Sequence, residues 1–346
     1  MSEKHFFVSP HPIFHPEYHI ERVSSAVKTF LDDMDFAPTN INPVNKDLEN
    51  SMEKLMYARG MECEQLKRTL HLAAALIECT LEEKTNAALF TWYGYRFGVY
   101  MDDRIIKDPI PFREFGARIL RNQQQLDPVL AAYTEVLNHM WDLYDPMVAS
   151  IIFNNTLNFV TGSCIEPEIQ KVSIVQGVDR FGWYIRDLTG VGIAFALFPY
   201  TKTGNFDILS VIQAIPDMNF WLSTANDLLS FHKEESASET GTHIYIRAIT
   251  SNQSRYDTCD ELVAELKKTR ETIYAALAGN QAALETWKVW ERGFVEWHLI
   301  QERYRLNDLG VVSTAVTGIT VKKIRFGGLI DPPKGLELEI SSQVQP

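Results

Sequence analysis

Asn226-Asp227-Leu228-Leu229-Ser230-Phe231-His232-Lys233-Glu234 places Asn226, Ser230 and Glu234 four residues apart. Side chains at that interval lie one above the next on a single helix face. An amide oxygen, a hydroxyl and a carboxylate then form a column of hard oxygen donors, the set Mg²⁺ prefers when it also keeps waters and phosphate oxygens. Lys233 sits beside Glu234, where its ammonium reaches an anion held by such a metal. A polar column is more often a solvated helix face. Here the preceding turns, Ile215 to Ala225, are mostly apolar, so the column emerges from a buried helix. Buried donors without partners are costly, which favours a bound ion.

Working outward, the chain reads as helix after helix. Residues 1–16, with Pro10, Pro12 and Pro16, form an irregular arm. Helices are expected at Ile20–Leu31, Asp47–Tyr57, Glu62–Cys79 and Lys84–Ile105, the last dense in aromatics. Pro109 and Pro111 stop that helix and restart the chain through Asn122. Pro128–Tyr144 and Pro146–Val160 each carry proline in the first turn. Residues 161–178 are ambiguous. Asp179–Phe198 is apolar on most sides and carries Arg186; Ile208–Glu234 carries the donor column. Glu235–Thr242 reads as a mobile loop, followed by helices at Thr242–Thr250, Asp260–Ala278 and Gln281–Arg305, and residues 312–346 form a tail. Without a strand-turn-helix repeat, a linker or an internal repeat, the expected architecture is all-α. It is one domain over 1–346, a single α-helical bundle around a central apolar cavity.

The 346 residues are 45% hydrophobic and 23% charged, with a net charge of -12. That balance suits a soluble globular protein and opposes nucleic acid as the main partner. An acidic protein accepts a polyanionic substrate best when cations accompany it. Cys63, Cys79, Cys164 and Cys259 lie far apart without CxxC spacing, so zinc and redox chemistry are not expected. The first residues show no signal peptide and no window is expected to span a bilayer, which points to the cytoplasm.

A second acidic cluster, Asp102-Asp103-Arg104-Ile105-Ile106-Lys107-Asp108, closes the aromatic helix. Acids at a helix C-terminus oppose the helix dipole, and such arrangements are often functional. The alternative is a solvated helix end.

With these two clusters in place, the sequence resembles class I terpene cyclases, and within them the fungal trichodiene-synthase-like group. The donor column looks like that group's second metal motif. Gly293-Phe294-Val295-Glu296-Trp297-His298-Leu299-Ile300-Gln301-Glu302-Arg303-Tyr304-Arg305-Leu306 is similar to its late helix with an Arg-Tyr pair, and Arg186-Asp187-Leu188-Thr189-Gly190-Val191-Gly192 to its mid-chain helix. The likeness runs from about residue 90 to 306 and is close at those islands. It implies a sesquiterpene cyclase that ionises farnesyl diphosphate with Mg²⁺, typically three ions, in a protein that often dimerises.

Metal ligation passes by this resemblance to Asp102, Asn226, Ser230 and Glu234. Where the family often carries a third acid four residues after the first, this chain has Ile106, and Asp108 comes later, beside Pro109; whether Asp103 or Asp108 assists stays open. Diphosphate contacts pass to Arg186, Lys233, Arg303 and Tyr304, with Arg186 preferred to Arg180 for its glycine context. Helical spacing back from Asp102 brings Val99, Tyr95 and Trp92 or Thr91 toward the cavity. Spacing back from Tyr304 brings Ile300 or Gln301, Trp297 and Phe294. Tyr95, Val99, Phe294 and Trp297 are therefore expected to line the substrate, and the resemblance adds Gly190, whose carbonyl would lie near a cation. His232 and His298 are either bases or satisfied helix histidines. Competing readings are a helical prenyl-diphosphate-binding protein without activity and a prenyl-chain synthase. The latter wants two aspartate-rich clusters where one is present. A di-iron bundle wants paired Glu-x-x-His motifs, which are missing.

Overall fold

The computed structural model describes residues 16–37, 46–58, 70–80, 100–101, 104–169, 171–204 and 206–311. All regular structure among them is helical. The helices are α1 (Pro16–Asp33), α2 (Lys46–Ala58), α3 (Leu70–Thr80), α4 (Ile110–Leu120), α5 (Pro128–Asn138), α6 (Met140–Leu143), α7 (Pro146–Ile169), α8 (Arg180–Thr189), α9 (Gly192–Leu197), α10 (Ile215–Ser236), α11 (His243–Thr250), α12 (Arg255–Leu277) and α13 (Gln281–Ile300).

α10 is the axis. Most of its residues from Ile215 to His232 are buried, Trp221, Leu228 and Leu229 completely or nearly so. A helix apolar on nearly every side must be enclosed by others. It packs against α1, α8, α9, α11, α12 and α13. Its start at Ile215 corrects the expected Ile208. Pro216 occupies the first turn, where a missing N–H costs nothing, and Ile208–Ser210 forms a separate 3₁₀ turn capped by Asp207.

The expected helix over Asp179–Phe198 is broken. Gly190 adopts extended backbone (φ -94°, ψ 140°) and separates α8 from α9. The break lets α9 press onto α10, for a Cβ on Gly192 would lie 2.1 Å from Asn219 Oδ1 and 3.0 Å from Asn219 O. It also leaves first-turn N–H groups open, and Asn155 of α7 accepts one of them, Ala194 N–H, at 3.0 Å.

Other boundaries move too. α7 runs on through Pro167 to Ile169, absorbing part of the ambiguous stretch. Pro128–Tyr144 divides at His139 into α5 and α6. α12 begins at Arg255, five residues before the expected Asp260, because Ser254 caps it on Asp257 N–H. α10 continues through Glu235 and Ser236, and Glu235 pairs with Arg255. The late helix stops at Ile300; Glu302–Tyr304 is a 3₁₀ turn, ended by Arg305 at φ 58°. One window also departs from the bilayer expectation. α7 is long and apolar enough to cross a membrane by length and composition, although half of that window is buried inside the bundle.

Candidate active site

The predicted column forms. Asn226, Ser230 and Glu234 occupy one face of α10, and Ser230 Oγ donates to Glu234 Oε1 at 2.5 Å. The Glu234 side chain is only 15% exposed, with Lys233 Nζ 3.9 Å from its Oε1. Burial lifts the Glu234 carboxyl to about 7; Lys233 and the Ser230 hydrogen bond oppose this, while Asp227 and Glu239 add to it.

Arg186 of α8 reaches the same face. Its Nε donates to Asp227 Oδ1 at 2.6 Å, and its Nη2 donates to Ser223 O at 3.0 Å and Asn226 Oδ1 at 3.2 Å. Gly190 makes this possible, because a Cβ there would fall 2.5 Å from Arg186 Nη1. Arg180, the rival candidate, is exposed at the first residue of α8. Asp227 is shared: His243 Nδ1 of α11 meets its Oδ2 at 2.8 Å. Burial would raise the Asp227 carboxyl, but Arg186 and His243 outweigh it and hold it below the usual range.

The late segment closes the other side. His298 is completely buried; its Nε2 lies 2.9 Å from Asn226 Nδ2, and its Nδ1 lies 2.7 Å from Phe294 O. Burial, assisted by nearby Arg303, pushes its pKa down to about 3 against the pull of the Phe294 carbonyl. The Tyr304 ring centroid is 4.5 Å from that of His298 and 5.5 Å from that of Trp297. The Arg303 guanidinium lies 5.4 Å from the Tyr304 ring. Tyr304 thus stays beside Trp297 although it has left the helix. Trp297 and Phe294 are buried; the Trp297 indole N–H donates to Leu72 O of α3 at 2.9 Å, so this ring is anchored as well as aromatic. His232 faces away, 3.0 Å from His19 of α1.

Asp102, Tyr95 and Val99 lie outside the described residues. Their flanks are held, since Tyr100, Met101 and Ile105 are buried and Tyr100 OH donates to Asp127 at 2.9 Å.

Sequence reasoning missed Asp227, His243 and Glu166. Gly162 of α7 sits against the backbone of α8, its notional Cβ 2.5 Å from Leu188 O, and Glu166 follows one turn later on that face. Burial raises the Glu166 carboxyl, Arg186 and Lys233 oppose the rise, and Glu239 adds to it, which locates Glu166 among the groups around the column. The periodicity within α10 was the available signal for Asp227; none existed for residues on other helices.

The column fits a hard divalent cation. The Glu234 carboxyl is lifted toward neutrality by burial in spite of Lys233, and a divalent ion would supply the compensating charge that Lys233 alone does not.

Comparison with known proteins bears on the family and the fold. The trichodiene synthase (TRI5) family profile matches residues 61–316. Longiborneol synthase of Gibberella zeae is 31% identical over 263 residues, covering 70% of this chain and 72% of that enzyme. Monoterpene synthase 25 of Postia placenta is 33% identical over 212 residues, 61% of this chain and 64% of its relative. Alpha-cuprenene synthase of Coprinopsis cinerea is 25% identical, with 79% and 85% covered. Among solved structures, linalool/nerolidol synthase of Streptomyces clavuligerus, in complex with 2-fluorogeranyl diphosphate, superposes with a TM-score of 0.57. It covers 76% of this chain and 96% of its own, and at 12% identity the likeness is one of fold: the all-α class I bundle.

Proposed function

Because the chain belongs to the trichodiene synthase (TRI5) family, and is thus a terpene synthase, we propose that it is a sesquiterpene cyclase acting on farnesyl diphosphate with Mg²⁺. The observation that carries the reading is the convergence of Arg186 on Asn226 at the head of the Asn226, Ser230, Glu234 column. These three residues, together with Asp102 as the resemblance implies, would hold Mg²⁺, which when bound supplies charge neutralisation and Lewis-acid polarisation at the diphosphate.

The chain's own groups do the rest. Arg186 offers a planar cationic fork suited to phosphate oxygens. Lys233 and Arg303 add positive charge, and Tyr304 a hydroxyl, from two further segments. Once the allylic C–O bond has broken, the cation needs a wall without nucleophiles. Phe294 and Trp297 supply ring faces worth about 1–2 kcal/mol each when desolvated. Tyr95 and Val99, outside the described residues, are the further wall residues that helical spacing nominates, and the Gly190 carbonyl, at the break, is the one the resemblance would set near the cation. The free thiols of Cys164 and Cys259 accord with a reducing cytoplasm.

The test is incubation with farnesyl diphosphate and Mg²⁺, followed by gas chromatography with mass spectrometry. A cyclic C15 hydrocarbon or alcohol is expected, and none without the metal. Turnover of geranyl diphosphate alone would make it a monoterpene synthase, the reading that the Postia placenta relative's name favours. Inertness toward both, and toward geranylgeranyl diphosphate, would leave a binding protein.

A further inference from the structure

Asn226 is held from both sides. Arg186 can only donate, so the amide atom 3.2 Å from its Nη2 must be the oxygen. The atom facing His298 Nε2 at 2.9 Å is then the NH₂ group, which donates. Nε2 must therefore accept, and the ring proton sits on Nδ1. That proton meets the Phe294 carbonyl at 2.7 Å, a group that can only accept. Every donor in the chain Arg186–Asn226–His298–Phe294 finds an acceptor, and reversing any one member sets two donors against each other.

From this arrangement we propose that His298 is a positioning residue: its bare Nε2 captures the Asn226 NH₂ and thereby turns Oδ1 toward the metal. The inference rests on the metal-binding reading of the column. An amide has one ligating face; Arg186 steadies Oδ1 from one side, and without an acceptor behind the NH₂ the amide loses the second of its two anchors. His298 is fully buried, and the surrounding rings of Phe294, Trp297 and Tyr304, with centroids 4.5 to 4.7 Å away, fix its plane. Its two ring nitrogens are taken by Asn226 and Phe294, so it acts through Asn226.

The test is a double-mutant cycle read by metal binding. Mn²⁺ is titrated into the protein with inorganic pyrophosphate present, and free Mn²⁺ is followed by electron paramagnetic resonance. His298→Leu is expected to weaken Mn²⁺ binding by about 10- to 100-fold, the usual effect of removing a partner behind a metal ligand. His298→Gln, which can accept through Oε1, restores most of it. In the Asn226→Asp background the ligand has oxygen on both sides, so His298→Leu should change the affinity little. Equal losses in both backgrounds, or no loss in the native one, would overturn the proposal. A wild-type protein that takes up no Mn²⁺ with pyrophosphate would instead sink the metal-binding reading itself. Should His298→Leu fail to fold, long-range ¹H–¹⁵N spectra of the wild-type protein at neutral pH decide the question. A protonated Nδ1 with bare Nε2 is expected, and a proton on Nε2 would overturn the proposal.

Discussion

Arg186 on α8 and Asp227 on α10 are joined at 2.6 Å, and the pair is nearly sealed from solvent, with side chains 14% and 10% exposed. His243 takes the second carboxylate oxygen, so Asp227 ties three helices together. Asp227→Ala leaves the guanidinium buried without its partner, a change that typically costs about 3–5 kcal/mol. The expected outcome is a lower guanidinium midpoint and loss of turnover. Arg186→Lys keeps a charge but not the fork; it should retain more stability than Asp227→Ala while turnover falls at least about 100-fold. Denaturation curves and rates on the same preparations separate the two effects.

The helix break makes its own demand. A methyl on Gly192 would collide with the Asn219 side chain of α10, which its hydrogen bond to Asp187 holds in place, and would crowd the Asn219 backbone carbonyl, which has no rotamer by which to move aside. Gly192→Ala should destabilise the fold by roughly 1–3 kcal/mol, the range for overpacking. Gly190→Ala strikes Arg186 at both its guanidinium and its carbonyl. It should therefore reduce turnover more than it reduces the melting temperature.

A buried histidine pair governs behaviour in acid. His19 Nε2 lies 3.0 Å from His232 Nδ1, Tyr256 OH is 3.2 Å from His19 Nδ1, and Asp308 lies 3.5 Å from His232 Nε2. Burial, then His232 and Arg255, lower the His19 pKa from 6.5 to about 4. Burial lowers His232 as well, with Arg305 adding to the fall and Asp308 opposing it. A base with a lowered folded pKa binds fewer protons folded than unfolded. Its contribution is thus complete above pH 6.5 and lost as pH falls from 6.5 through 4, at most about 3 kcal/mol for His19. Thermal melts across that window should show a steep decline, flattened in His19→Gln. An unchanged slope would mean that His19 titrates normally in the folded chain.

The parts of the site legible in the sequence were those within one helical repeat. Asn226, Ser230 and Glu234 share a face because of their spacing alone, and the helix that carries them is apolar on the preceding turns. Arg186 was nominated by the family resemblance, its glycine context deciding against Arg180. Partners such as His243 and Glu166 come from helices with no local signature of the encounter, since packing decides which turn faces α10. Boundaries failed for a related reason. The apolar run across Gly190 continues on both sides, so nothing in composition marks the extended residue that separates α8 from α9. Pro167 should end a helix, yet in the last turn of α7 it forfeits only one interior hydrogen bond. The late helix ends at Ile300 through backbone geometry that the Glu302 to Arg305 charges do not advertise.

Glu234 should show function set against stability. Its carboxyl, lifted by burial to about 7, is protonated more readily in the folded chain than in the unfolded one. For an acid shifted upward the sign reverses from the usual case. Stability is greatest below pH 4.5, declines as pH rises to 7 and then stays low, a loss of at most about 3 kcal/mol. Glu234→Gln removes the buried charge, keeps the shape and can still accept from Ser230. At pH 8 it is expected to melt above the wild-type protein while turnover falls at least about 100-fold, the pattern of a site whose demands are paid in stability. Mg²⁺ with pyrophosphate should raise the melting temperature of the wild-type protein and leave that of Glu234→Gln nearly unmoved, because a ligand stabilises only the state that binds it. A variant that melts lower at pH 8, or one still stabilised by the metal, would place the ion somewhere other than Glu234.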